Sequence, residues 1–480
     1  MKRKFLACVL STCMVAGTLA GCGEVATTPD APTDGGDTVV DDTTGDAPTT
    51  DTIEVEGAVG TIYVCSFTDE VPGMIQDYVA NHPDFKYNVE VTVKATDGGA
   101  YDTYMANALS AGGDTAPDIY AAEAAFVLKY TQGDMAEFAA PYASFGIDVD
   151  AELAAAEIAP YTVDLGSNPA GELVALGYQS TGGCMIYRRS IATDVFGTDD
   201  PDAIAEKVGA GSGNWDAYWA AADEVKAKGY AMVSGQGDLW NVVEKSAETP
   251  WIVDGKLNID PAREEFMDIS KKLCDNGYYN DTAAWQDAWF ADMAGTGEKQ
   301  VFSFFGPAWL INYTLGDNCG GKAVGEGTYG DWAVCPSPVG FFWGGTWVIG
   351  SKKAAEDADK AAAVGEIIRY ITLDTSEDGL QYKWANGMLN DAGTKDSVAS
   401  NVVMAKSNGE MAFLAGQNAF DVFVPANTYA RGDNQSQYDE KINGLWTDQC
   451  SLYAHGEKTR EEAIADFKTN VSEQLGVEVE

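Results

Sequence analysis

The chain has 480 residues, with 30 Lys and Arg against 74 Asp and Glu and a formal net charge of −44. That balance excludes a nucleic-acid binder driven by phosphate contacts, which needs a basic face to release counterions. Hydrophobic residues at 45% and aromatics at 11% supply a large buried core, so the chain is no disordered acidic polymer, and its length suits two or three domains or one large two-lobed unit. The only histidines are His82 and His455, which leaves little for histidine-based metal or acid–base chemistry.

Lys2, Arg3 and Lys4 precede an apolar, small-residue run from Phe5 to Ala20. This is the layout of a secretory signal, too short for a comfortable membrane span. The run ends in Leu19-Ala20-Gly21-Cys22, which resembles the lipobox of bacterial lipoproteins. The resemblance implies a signal peptide over 1–21 and a diacylated Cys22, whose two chains give stable membrane attachment. Loss of 1–21 leaves 27 basic against 74 acidic groups, a net charge of −47. Such a polyanion is repelled by anionic lipid and by nucleic acid. Residues 23–52 are dominated by Thr, Asp, Gly, Pro and Ala, without Lys, Arg or an aromatic. They cannot bury enough apolar area to offset their ordering entropy, so 22–56 is read as the lipidated Cys and a disordered acidic tether. Of nine cysteines, Cys8 and Cys13 leave with the signal, and six scattered ones remain in the body with no C-x-x-C pair. Cys319 and Cys335 either close a Gly-rich loop in an oxidising compartment or stay as buried thiols. With no zinc-ligand spacing and no H-E-x-x-H, neither metal nor cofactor is expected.

The body alternates strands and helices. A strand over Thr61 to Cys65, a helix from Val71 to Asn81 and a strand from Tyr87 to Lys94 come first. Next is a helix whose Tyr101, Tyr104, Met105 and Ala108 recur at i, i+3, i+4 and i+7. Pro117-Asp118-Ile119-Tyr120 starts another strand, followed by a helix with Phe126, Val127 and Tyr130. Repeated βαβ units predict an α/β fold with mostly parallel sheets flanked by helices, with ligands beyond the carboxyl ends of the strands. Ala175 to Tyr187 is strand-like, and Gly213-Asn214 precedes a helix with Trp215 and Trp219 on its apolar stripe, a core position. A helix near Ala362 carries Val364, Ile367, Ile368 and Ile371 on one face, and the last helix, Thr459 to Leu475, opens with a capping box formed by Thr459 and Glu462.

Four stretches in this order are similar to the extracellular solute-binding lipoproteins of bacterial ABC importers, in particular the carbohydrate-binding group related to maltose-binding proteins. They are Ala116-Pro-Asp-Ile-Tyr120 with the later Gly133-Asp-Met-Ala-Glu137; Gly177-Tyr-Gln-Ser-Thr-Gly-Gly-Cys-Met-Ile-Tyr187, like a first crossing between lobes; Phe305-Gly-Pro-Ala-Trp309, like a Gly-Pro-Trp turn; and Gly344-Gly-Thr-Trp-Val-Ile-Gly-Ser-Lys-Lys353, like a second crossing. The resemblance spans about residues 57 to 475. It implies a two-lobed periplasmic-binding-protein-like fold with hinge crossovers, lobe 1 from 57–178 plus 349–395 and lobe 2 from 179–348 plus 396–480. The chain departs from the pattern at Gly387-Met-Leu-Asn390, where the family often has Pro. It departs again at Ala308, which takes the place of the sugar-stacking ring directly after Pro307 and puts Trp309 about 100° further round a helix.

A sugar needs aromatic plates for its C–H faces and carboxylates or amides for its hydroxyl rim, and twelve Trp with many Asp, Asn and Gln supply that kit. The candidate plates are Trp240, after the polar glycine loop Ser234-Gly-Gln-Gly-Asp238; Trp285, beside Gln286 and Asp287; Trp309; Trp343, next to Gly344 where backbone can approach closely; and Trp446, loosely matching a late stacking aromatic of the family. Asp69 with Glu70 at the first strand-to-helix turn, Glu123 after the Pro-Asp-Ile-Tyr strand, and Gln179 and Thr181 at the first crossing are the polar candidates. Gly209-Ala-Gly-Ser-Gly213 lacks the Lys of a phosphate loop, and Thr198-Asp-Asp-Pro-Asp202 lacks calcium-loop spacing. The expectation is therefore a monomeric, lipid-anchored protein at the extracellular face of the bacterial cell membrane, without catalysis. It captures a carbohydrate, an oligosaccharide by preference, between its lobes and hands it to ABC permease membrane subunits. Its rivals are a binder of peptide or polyamine for such an importer, and an anchored glycosidase, which needs two carboxyls across a cleft.

Overall fold

The computed structural model describes residues 47–96, 99–390 and 392–479; the signal segment, Cys22 and most of the predicted tether lie outside the described residues. The tether ends earlier than expected. Thr49–Ile53 forms strand β1, rich in β-branched residues and exposed as an edge strand can be. Strands β2 (Gly60–Ser66), β3 (Tyr87–Val93), β4 (Ile119–Glu123) and β5 (Ala175–Gly177) follow. The chain then builds a second sheet from β6 (Cys184–Arg188), β7 (Ser303–Gly306) and β8 (Trp332–Pro336), and returns to the first with β9 (Thr346–Gly350).

The first sheet has the order β1-β3-β2-β4-β9-β5, the second β8-β6-β7. Helices Glu70–Asn81 and Ala358–Thr372 cover the first sheet, and Val64, Ile75, Val348 and Ile368 share its core. Helices Asp216–Ala227, Pro261–Asn276, Asp439–Ala454 and Arg460–Leu475 supply the core beside the second sheet, which holds Trp215 and Trp219 as the periodicity predicts. The two-lobed α/β reading holds, but strand direction does not. Among the described strand pairs of these two sheets only β2–β3 and β2–β4 are parallel, and the second sheet is antiparallel throughout, with isolated parallel bridges Ala231–Val301 and Val233–Tyr279 beside it. The cause is the path of the chain. β4 and β5 run toward the junction, so β9, arriving from the other lobe, enters at that end and pairs antiparallel to both. The expected boundary at 348/349 therefore falls inside β9, which belongs wholly to the first sheet. Ser400 also bonds the first lobe, its Oγ donating to the Ala156 carbonyl at 2.7 Å.

Three crossings lie side by side at the junction. Gln179 bridges Val398 on one flank and Gly182 bridges Phe342 on the other, while the Trp343 N–H donates to the Thr181 carbonyl at 3.1 Å. Gly183 is required there, because a Cβ would sit 2.0 Å from the Phe341 ring. All six described cysteines are free thiols, Cys319 and Cys335 among them, both buried.

Candidate ligand-binding cleft

The parallel strands β2 and β4 point their carboxyl ends at the crossings, so their last residues enter the gap between the lobes. β4 ends at Glu123, opposite Thr346 of β9. Its Oε2 accepts the Ala125 N–H at 2.6 Å. Gly344 lies alongside at φ +72; a Cβ there would stand 3.3 Å from Trp309 Nε1 and 3.5 Å from Glu123 Oε1. The crossing backbone thus touches a carboxylate of one lobe and an indole of the other. Trp309 Nε1 donates to the Trp343 carbonyl at 2.9 Å and fixes that ring.

Three part-buried tryptophans meet here. Trp309 and Trp343 are edge-to-face at 4.8 Å, Trp285 and Trp343 at 6.0 Å, and Trp285 lies within 13° of parallel to Trp309 at 6.2 Å. A ring sandwiched between two plates needs about 7–8 Å, two carbon contacts of 3.5–4.0 Å each. Trp285 and Trp309 are therefore too close to clamp a ring between them, and with Trp343 they make a part-buried indole shelf. Trp309 leads into a π-helical turn, Leu310–Leu315, a distortion that recurs at functional sites. Trp285 holds φ +67, a conformation that costs a bulky residue of the order of 1–3 kcal/mol and persists only when its surroundings enforce it. Below the shelf, Trp289 is buried and donates to Asp238 Oδ1 at 3.1 Å. Ala308, in the position of the family's stacking ring, is fully buried; the one-residue shift puts the small side chain in the core and the indole on the shelf.

Polar groups close the base. Thr181 Oγ1 donates to the Gly344 carbonyl at 2.8 Å, and the Thr181 N–H donates to the Tyr161 hydroxyl at 2.6 Å. Gln179 Nε2 reaches Asp396 Oδ2 at 3.5 Å. Asp396 is 2% exposed, and burial pushes its carboxyl up to about 8, with the nearby Glu70 raising it further and the Ser397 N–H opposing. Glu70, hydrogen-bonded by the Tyr178 hydroxyl, is likewise raised by burial. Tyr313, from the π-helical turn, is raised by burial and then by the charges of Asp396 and Glu70, so both lobes face this acid group. Burial also lifts Glu123 to about 7; the Ala125 N–H and Lys245 oppose the lift and Glu440 adds to it. Lys245 is itself engaged, 2.5 Å from Glu244 and 2.6 Å from the Gln435 amide oxygen.

The structure thus brings Glu123, Thr181, Trp285, Trp309, Trp343 and Gly344 together, with Gln179 at the base. It does not bring in the other three candidates. Asp69 is exposed at the start of the helix Glu70–Asn81 while Glu70 turns inward. Trp240 sits within the helix Gln236–Ser246, packed on Phe266 at 4.8 Å, because the Asp238 carboxylate accepts the Gly235 N–H at 2.8 Å and begins the helix inside the expected loop. Trp446 is fully buried against Trp251 and Phe467, its Nε1 donating to the Arg263 carbonyl at 3.1 Å. Sequence reasoning missed Asp396, Tyr313 and Lys245. Tyr313 had a signal, lying four residues beyond Trp309 after the Gly-Pro turn; Asp396 and Lys245 are brought in by tertiary packing alone.

No family model and no curated protein matches the sequence. Comparison with solved structures does find likeness. An extracellular solute-binding protein family 1 structure aligns at TM-score 0.63 and 18% identity, covering 85% of this chain and 97% of that one. The sugar-binding protein MalE from the phytopathogen Xanthomonas citri aligns at 0.62 and 12%, covering 87% and 97%. The galacto-N-biose/lacto-N-biose I-binding protein of the ABC transporter from Bifidobacterium longum, in complex with lacto-N-biose, aligns at 0.59 and 15%, covering 89% and 100%. The chain has the two-lobed fold of these proteins.

Proposed function

We propose that this protein is the substrate-binding lipoprotein of an ABC importer, which captures an oligosaccharide between its lobes and delivers it to the permease subunits in the membrane. The observation that carries the reading is the indole shelf of Trp285, Trp309 and Trp343 set against Glu123 where the lobes meet. Indole faces match the C–H faces of a pyranose, and carboxylates accept its hydroxyls in charge-assisted bonds. The structural neighbours support it, since one is named as sugar-binding and another is a complex with lacto-N-biose. The reading takes 57–178 with 346–395 as one lobe and the remainder of the body as the other, hinged at the three crossings so that closure wraps the ligand. Cys22 anchors the chain by lipid at the outer face of the bacterial membrane. Among the described residues no helix is long and apolar enough to cross a membrane. The protein acts as a monomer, by binding and release, with no chemical step and no cofactor.

A thermal-shift screen against oligosaccharides, peptides and polyamines tests this. Stabilisation follows RT ln(1 + [L]/Kd), so a sugar at a thousand times its Kd adds about 4 kcal/mol. A melting temperature moved by peptides or polyamines and by no saccharide overturns the reading.

A further inference from the structure

We infer that Asp292, buried in the helix that follows Trp285, is a positioning residue for saccharide binding that acts through Trp285; this rests on the carbohydrate reading above and deepens it. The starting point is a difference between two rings of the shelf. Trp309 is fixed by its own indole N–H, given to the Trp343 carbonyl. Trp285 is placed by its backbone, held at φ +67, which relaxes unless its surroundings prevent it. The structure shows what prevents it. Trp285 lies between Asn280 and the helix Asp287–Met293, and Asp292 turns its carboxylate back to the start of that segment, where Oδ1 accepts from Asn280 Nδ2 at 2.7 Å. The bond closes the chain from 280 to 292 into a ring with Trp285 inside it, which removes most of the conformations open to a free loop. The other oxygen, Oδ2, accepts from Ser234 Oγ at 2.6 Å, while the Ser234 carbonyl accepts the N–H groups of Asn280 and Thr282 at 3.1 and 3.3 Å. Because the Ser234 hydroxyl gives its one proton to Asp292, the Thr282 hydroxyl 2.5 Å away donates to Ser234, and the three side chains form one run of bonds.

Two glycines let the neighbouring chain close on this hub. A Cβ at Gly235 would stand 2.0 Å from the Thr282 carbonyl oxygen, and one at Gly297 would stand 1.7 Å from Asp292 Oδ1. Asp292 is 1% exposed and Ser234 is fully buried. Loss of the carboxylate would leave the Ser234 and Asn280 donors unpaired in the interior, a cost the chain escapes only by shifting. Residues 281–288 are all exposed or part-exposed, so the stretch free to shift is the one that carries Trp285.

The test reads Trp285 directly. With 5-fluorotryptophan in place of its twelve tryptophans, the purified protein gives fluorine resonances, and those of Trp285 and Trp446 are assigned by their loss in Trp285→Phe and Trp446→Phe. In Asp292→Ala the Trp285 line is expected to move or broaden while the Trp446 line keeps its place. Affinity for the saccharide that raises the melting temperature most in the screen above should fall about fivefold in Asp292→Ala. On a Trp285→Ala background the same change should cost less than about twofold, because a residue that acts through that ring has nothing left to act on. A lowered melting temperature with the Trp285 line unchanged, or an equal loss of affinity on both backgrounds, overturns the inference. Should Asp292→Ala fail to fold, Asn280→Ala opens the ring at its other end, leaves Asp292 bonded to Ser234, and is read in the same two ways. Failure of every saccharide to bind overturns the carbohydrate reading, whereas the fluorine spectrum still decides whether Asp292 places Trp285.

Discussion

The second lobe carries two clusters of indoles with nearly the same internal spacing and opposite roles. Trp251 and Trp446 stand 5.8 Å apart and Trp446 lies 4.8 Å from Phe467; Trp309 and Trp343 are 4.8 Å apart and Trp285 is 6.0 Å from Trp343. Ring geometry does not separate them. What separates them is how deeply each ring is buried and where its backbone comes from. In the first cluster both rings are buried, Trp251 Nε1 donates to Asn443 Oδ1 at 2.7 Å, and the Arg263 guanidinium caps Trp251 at 4.5 Å. Ile442, Trp446 and Cys450 repeat at i, i+4 and i+8 along one helix, the spacing of a buried stripe. The second cluster is assembled from a left-handed residue, a π-helical turn and a crossing, where no periodic stripe runs and the rings stay only part-buried. Aromatic residues on regular elements here make core, and those on the irregular joints between elements stay part-exposed where the lobes meet.

The sharpest way to break this contrast is Trp446→Ala. Removing a fully enclosed indole costs about 3–5 kcal/mol, read as a lowered urea midpoint, while sugar affinity of the folded fraction stays unchanged. A loss of affinity without a loss of stability would place Trp446 in the cleft after all.

The same contrast explains what could be read in advance. The helix over Arg460–Leu475 with its Thr459–Glu462 box, and the core place of Trp215 and Trp219, follow from local periodicity and capping, which the chain states residue by residue. Trp240 was misplaced because Gly235 reads as loop, whereas its N–H is bonded by Asp238 Oδ2 at 2.8 Å and so caps a helix. Parallel pairing was over-extended because strand direction after a crossover between lobes depends on the end from which the chain re-enters, and no local pattern records that. The meeting of Glu123, Trp309, Trp343 and Gly344 at the junction was legible, since each borders a turn or a strand end. Asp396 was not, since its meeting with Gln179 joins positions 217 residues apart.

The carboxylates sharpen the comparison further, because the cleft titrates. Burial holds Asp396 at about 8 in the fold against an ordinary value of 3.8. Between those values the native chain keeps a proton that the unfolded chain has released, so stability is highest at low pH and is lost as pH rises toward 8. With 1.36 kcal/mol per unit as the scale, the decline from about pH 5.5 to 8 should reach about 3 kcal/mol by urea unfolding. Self-repulsion in so acidic a chain adds to the same trend, so the measurement is the difference between the natural protein and Asp396→Asn, whose slope should be flatter. Equal slopes would mean that Asp396 is solvated and ionised in the fold.

Trp343→Ala is the smallest of these effects in free energy and the most direct on function. The main chain of Trp343 does its structural work without the ring, since its carbonyl accepts Trp309 Nε1 and its N–H donates to Thr181; alanine keeps both bonds. What leaves is one wall of the shelf. Affinity for a bound saccharide should fall about tenfold, about 1.4 kcal/mol, with a change in melting temperature well below that of Trp446→Ala. Fluorescence titration reads the affinity and a melting curve reads the stability. The opposite pattern, in which the part-buried ring sets stability and leaves affinity untouched, would make the shelf an ordinary piece of core, and the carbohydrate reading would lose the surface it depends on.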